Sequence, residues 1–109
     1  MNRYTELSDL EINKRVFVAA KIEHEDTDLH SNKVFYGDGA RWIEFNPCNN
    51  PADAMPIAFE NGISLISDWN EVGVWGATNQ PWYSSENKNP LRAAMEVFLM
   101  MKDAENEKI

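Results

Sequence analysis

The sequence predicts an α+β fold, a small, mainly antiparallel sheet packed against an N-terminal and a C-terminal helix. Three observations carry that reading. Apolar residues recur at spacings of three and four near both ends of the chain. Between them, Gly- and Pro-rich punctuation cuts the middle into short apolar runs of strand length. At 109 residues and 43% hydrophobic content, the chain reads as one domain, 1–109, large enough to fold without disulfides or metals.

The C-terminal helix is the clearest element. Asn89 can cap it and Pro90 suits its first position. Leu91, Ala94, Met95, Phe98, Leu99 and Lys102 then share one face. The expected span is 90–101, with 102–109 as a frayed acidic tail. The N-terminal helix is expected over 9–20. Ser8 and Glu11 have capping-box spacing, and Leu7 with Ile12 can staple its start. Its inward face is Ile12, Val16, Ala19 and Ala20, while Asn13, Lys14 and Lys21 are assigned to solvent.

Residues 21–33 read as a solvated loop. His24, Asp26, Asp28 and His30 lie in it, but they lack the Cys/His spacing of a structural zinc site and the Gly and closing Glu of a calcium loop. No metal is expected. Strands follow at 34–36 and 41–45, joined by a Gly37-Asp38-Gly39 turn, with Ile43 and Phe45 on the core side. Asn50-Pro51 then repeats the cap-then-proline start, and Asp53 sits in a first turn where the dipole favours a carboxylate. A short helix of one or two turns, limited by Pro56 and closed by Asn61-Gly62, is preferred. The alternative makes 57–60 a strand with Asn61-Gly62 as its hairpin turn. Strands at 63–67 and 74–77 complete the sheet, and 79–88 is a polar loop.

Charge and motifs exclude several functions. A net charge of −8 argues against direct nucleic-acid binding, which needs clustered Lys and Arg. The longest apolar runs, 16–20 and 97–101, are far short of the roughly 20 residues of a membrane span, and the N-terminus does not resemble a signal peptide. Cys48 is alone, so it forms no internal disulfide and fits a reducing cytoplasm. There is no Gly-rich phosphate loop, HExxH or CxxC, so no cofactor is expected. Cys48 has only His24 and His30 as candidate bases and no nucleophile motif around it, so no catalytic residues are assigned.

Candidate binding residues remain. Asn46, Asn50 and Asp53 lie in the least ordinary segment, 46–56. Trp69, Trp75 and Trp82 lie near turns, where full burial of an indole is harder, whereas Trp42 lies on a strand and is assigned to packing. Arg92 opposes the helix dipole in the first turn of the last helix, which suggests either a carboxylate partner, Asp53 or Glu96, or a solvated cation whose stem covers apolar surface.

The run Asn46-Pro47-Cys48-Asn49-Asn50-Pro51-Ala52-Asp53-Ala54-Met55-Pro56-Ile57, the Ile63-Ser64-Leu65-Ile66 that follows, and Asn89-Pro90-Leu91-Arg92-Ala93-Ala94-Met95 with Val97-Phe98-Leu99-Met100-Met101 together resemble the NinX-like family of bacteriophage proteins. Tyr4-Thr5-Glu6-Leu7-Ser8-Asp9 with Glu11-Ile12-Asn13 is similar too, so the likeness spans most of the chain. It implies a phage or prophage accessory protein in a bacterial cytoplasm, and no catalytic residues carry over. The first functional reading is a small acidic interaction factor that binds a host or phage protein and performs no chemistry. The second is a small-ligand module or enzyme with a pocket at Asn50, Asp53 and Trp75. The third is an acidic mimic of nucleic acid, which requires carboxylates arrayed along one face. The oligomeric state is left open.

Overall fold

The computed structural model describes residues 3–29, 32–79 and 83–107. Three helices flank two antiparallel sheets. In chain order the elements are α1 (Asp9–Ala19), β1 (Asp26–Asp28), β2 (Val34–Gly37), β3 (Trp42–Phe45), α2 (Pro51–Glu60), β4 (Ser64–Ile66), β5 (Trp75–Asn79), β6 (Tyr83–Asn87) and α3 (Pro90–Glu107). The α+β class is as expected. The single sheet is not: among the described residues the strands form two three-stranded meanders, β1-β2-β3 and β4-β5-β6. In the chain, α2 falls between β3 of the first sheet and β4 of the second.

Each helix starts where the caps place it. Ser8 Oγ accepts from the Glu11 amide at 3.1 Å, and Asn50 Oδ1 accepts from the Ala52 amide at 3.0 Å. Asn89 Oδ1 does the same for Leu91, also at 3.0 Å. α2 is longer than its sequence suggests, ten residues with Pro56 inside. Pro56 is exposed, and so is Ala52, the residue whose carbonyl loses its i+4 donor to the proline, so the break falls on the outer side of the helix. The helix ends as expected at Asn61-Gly62: Gly62 has φ 65° and the Ile63 amide donates back to the Ala58 carbonyl at 2.9 Å. α3 continues past Met101 as far as Glu107.

Strands β1 and β6 occupy segments read as loops. β1 is Asp-Thr-Asp, and β6 is Tyr-Ser-Ser-Glu-Asn with only Ser85 fully buried. Neither carries the apolar alternation that marks a strand, because each is recruited by a neighbour's backbone rather than by its own burial. In the first sheet Phe45 is buried and Ile43 half-buried, while Trp42 is 57% exposed. Phe17 of α1 closes on this sheet, with its ring 5.7 Å from those of both Tyr36 and Phe45.

The second sheet lies against α3. Ala77 of β5 and Ser85 of β6 are paired in register and both buried, and Ser85 donates to Glu96 of α3. On the reverse face the Trp69 indole covers Gly76. A Cβ at Gly76 would lie 2.3 Å from the ring, so this close approach requires glycine.

Gly76→Ala is therefore expected to push Trp69 off the sheet. Destabilisation of about 1–3 kcal/mol should accompany a red shift in tryptophan emission, read by urea unfolding and fluorescence.

Candidate functional site

The residues singled out in the sequence divide into two groups. Asn46, Asn50, Asp53 and Arg92 belong to one polar cluster between α1, the loop after β3, and the starts of α2 and α3. Trp69 and Trp75 sit elsewhere, on the second sheet, and Trp82 lies outside the described residues. Since Trp69 covers the side of Gly76 where a Cβ would point, the neighbouring Trp75 side chain leaves from the opposite face. The two indoles do not share a surface.

Arg92 is the centre of the cluster. Only 6% of it is exposed, although it lies in the first turn of α3. Its Nε donates to Glu96 Oε2 and one terminal nitrogen to Asp9 Oδ1, both at 2.7 Å. The other terminal nitrogen donates to the carbonyls of Tyr4 at 2.8 Å and Leu7 at 2.7 Å. Burial disfavours the guanidinium charge, but the bonds from Asp9 and Glu96 outweigh it and raise the pKa above the ordinary arginine value. Of the two expected partners Glu96 is present and Asp53 is not. Asp9, from the other end of the chain, takes its place. Glu96 is itself fully buried and also accepts from the Ser85 hydroxyl, so the ion pair is completed by neutral donors and acceptors.

The asparagines continue this network. Asn13, assigned to solvent by its type, is 6% exposed. It donates to Asn46 Oδ1 at 2.8 Å and accepts from the Cys48 amide at 3.1 Å. The Asn46 amide in turn donates to Asp53 Oδ2 at 2.9 Å, tying the loop to the first turn of α2. Asn49 donates to Asn46 Oδ1 at 3.1 Å. Asn89 joins the two Asn-Pro starts by donating from Nδ2 to the Cys48 carbonyl at 2.6 Å. The periodicity contained one missed signal, since Asn13 is four residues after Asp9 and three before Val16, on the buried stripe of α1.

The arrangement is committed to structure. Among the described residues no buried side-chain nitrogen or oxygen lacks a hydrogen-bond partner. Asn50 Oδ1 caps α2 and Asp53 Oδ2 holds the Asn46 amide. Asn46 and Asn49 do border a shallow recess of about 200 Å³ with Lys33 and Glu44. Cys48 is fully buried and its thiol donates toward the Asp9 carbonyl at 3.8 Å. Burial, helped by the Asp9 charge, pushes its pKa from near 9 to about 12, so it is held as a thiol and not as a nucleophilic thiolate. His24 bonds the Ile22 carbonyl and packs on Phe17, neither of which brings it to Cys48. Among the described residues no three His, Cys, Asp or Glu side chains are grouped to hold a metal ion, and no helix is long and apolar enough to cross a membrane.

Fold and cluster define a small α+β protein whose polar centre joins its two ends. The pattern of the family described as "Bacteriophage P22, NinX" matches residues 3–102, and the chain belongs to that family. Comparison with curated proteins yields no match.

Two outcomes follow from the cluster. Arg92→Met leaves the buried Glu96 carboxylate without its cation and should cost about 3–5 kcal/mol, while adding Glu96→Leu should recover about 1 kcal/mol or more of that loss. Urea unfolding of the single and double variants measures both. For Cys48 the folded pKa is raised, so between pH 9 and about 12 the unfolded chain releases a proton that the folded chain keeps. Stability should fall through that window as pH rises, more steeply in the natural protein than in Cys48→Ala.

Proposed function

We propose that the protein is a small acidic phage factor that works in the bacterial cytoplasm by binding a host or phage protein, without chemistry of its own. The observation that supports this reading most is Trp42. An indole on a strand is usually packed away, yet 57% of this residue is exposed. It borders a recess of about 250 Å³ whose walls include the carboxylates of Glu25 and Asp26. Glu44 leaves the strand on the same side as Trp42, two residues on. The Arg41 cation beside them is engaged by Asp38 at 3.7 Å.

An exposed indole among carboxylates has the composition of an anchoring contact. The ring supplies apolar area with little rotamer entropy to lose, and the carboxylates steer a partner that presents Lys or Arg. The turn beneath is stiff. Asp38 Oδ1 accepts from the Ala40 and Arg41 amides, both at 3.1 Å, and these bonds hold its carboxyl below the usual carboxylate range. The surface is thus held in place before a partner arrives, which lowers the ordering cost of association.

Affinity capture from phage-infected cells tests it. The natural protein should retain a specific partner, and Trp42→Ser should deplete that partner about tenfold or more at unchanged melting temperature. Equal retention by Trp42→Ser would contradict the reading.

A further inference from the structure

A second surface shares no residue with the Trp42 recess. It is a groove of about 480 Å³ between α1, the N-terminal turn and α3. Its apolar part is made by Val18 and Leu29 over Leu99, and Val18 is 65% exposed. Its rim holds Arg3, Lys14, Arg15 and Lys102, four of the ten Lys and Arg of a chain with net charge −8, against two carboxylates, Glu11 and Asp103. Asp103, the carboxylate on α3, is already engaged by Arg3 at 2.8 Å and by the Tyr4 hydroxyl. Among the described residues neither Lys14 nor Arg15 has a carboxylate within ion-pair distance. The Arg15 guanidinium lies 6.0 Å from the Tyr4 ring centroid, and its charge faces outward from there.

We propose that this groove docks an acidic amphipathic helix of a protein partner, its apolar stripe on Val18 and Leu29 above the buried Leu99 and its flanking carboxylates on Lys14 and Arg15, since Lys102 is paired with Glu105 at 3.1 Å. The charge complementarity is local and runs against the sign of the whole chain, so it selects a carboxylate-bearing segment and not an extended polyanion. An anionic bilayer or a nucleic acid would meet the repulsion of the remaining surface beyond the groove. Both long walls are helices, which offer no unpaired strand edge. An extended peptide would find no backbone partners there, whereas a helix satisfies its own. The wall at Tyr4 is preformed, because Arg92 holds its carbonyl from behind at 2.8 Å.

A fluorescent designed peptide of about 15 residues, with Leu at helical spacing flanked by Glu, tests the groove by anisotropy against the full chain. Binding should saturate, weaken with added salt and fall about tenfold or more in the Lys14→Glu/Arg15→Glu variant. Val18→Ser should weaken it too, which keeps the test valid if the charge variant folds poorly. Amide shifts in the natural protein should map to Val18 and Leu99. The same peptide with Lys for Glu should not bind. The proposal is overturned by absence of saturable binding, by equal binding of the Lys peptide, by shifts centred on Trp42, or by preferential sedimentation with phosphatidylglycerol vesicles. Capture through Trp42 is independent of Lys14 and Arg15, so either surface can fail while the other stands.

Discussion

The rest of the structure depends on one buried cation. Arg92 sits where the dipole of its own helix opposes it and where water scarcely reaches it, and both penalties are offset by contacts drawn from the two ends of the chain. Because its donors reach Asp9 and the carbonyls of Tyr4 and Leu7, the guanidinium fixes the N-terminal turn and the first turn of α1 against α3. A lysine, with a point charge and no planar fork, could not serve Glu96, Asp9 and two carbonyls at once. Glu96 carries the constraint on to Ser85, and so to the second sheet.

The asparagines do for the loop what Arg92 does for the termini. Residues 46–50 make no strand or helix of their own, yet their backbone groups are bonded to Asp53, Asn13 and Asn89. Side chains therefore take the place of a ladder where the chain passes from the first sheet to α2. This explains how two separate three-stranded sheets belong to one structure. It also explains how the most distinctive segment of the sequence serves as a joint.

The sequence was most legible where signals are local. Caps at Ser8, Asn50 and Asn89 and the Gly62 helix end all act within one turn, and each was readable in the residues themselves, whereas α3 is buried at every position from Arg92 to Leu99 and not along one face. Strands β1 and β6 were not, because Asp-Thr-Asp and Tyr-Ser-Ser-Glu-Asn have strand conformation only through their neighbours. The division into two sheets was hidden for the same reason, since pairing is a property of both strands. The strained position of Arg92 announced a partner, and Glu96 was close enough in sequence to be found. Asp9, 83 residues away, was not. Residue type misled in two places. Asn13 looked solvated and is buried, while Trp42 looked packed and stands in the open.

The central claim is that the side-chain network joining Arg92, Asn13, Asn46 and Asn89 is part of the global fold and not a surface decoration. Native-state hydrogen exchange of two amides tests it most directly. The Cys48 amide donates to Asn13 and the Asn46 amide to Asp53, so neither belongs to a helix or a strand ladder. If the network holds the fold together, both amides exchange only through global unfolding, with the same free energy as the buried centre of α3 around Met95. Exchange of Cys48 and Asn46 through local opening, while the α3 amides stay protected, would contradict the account.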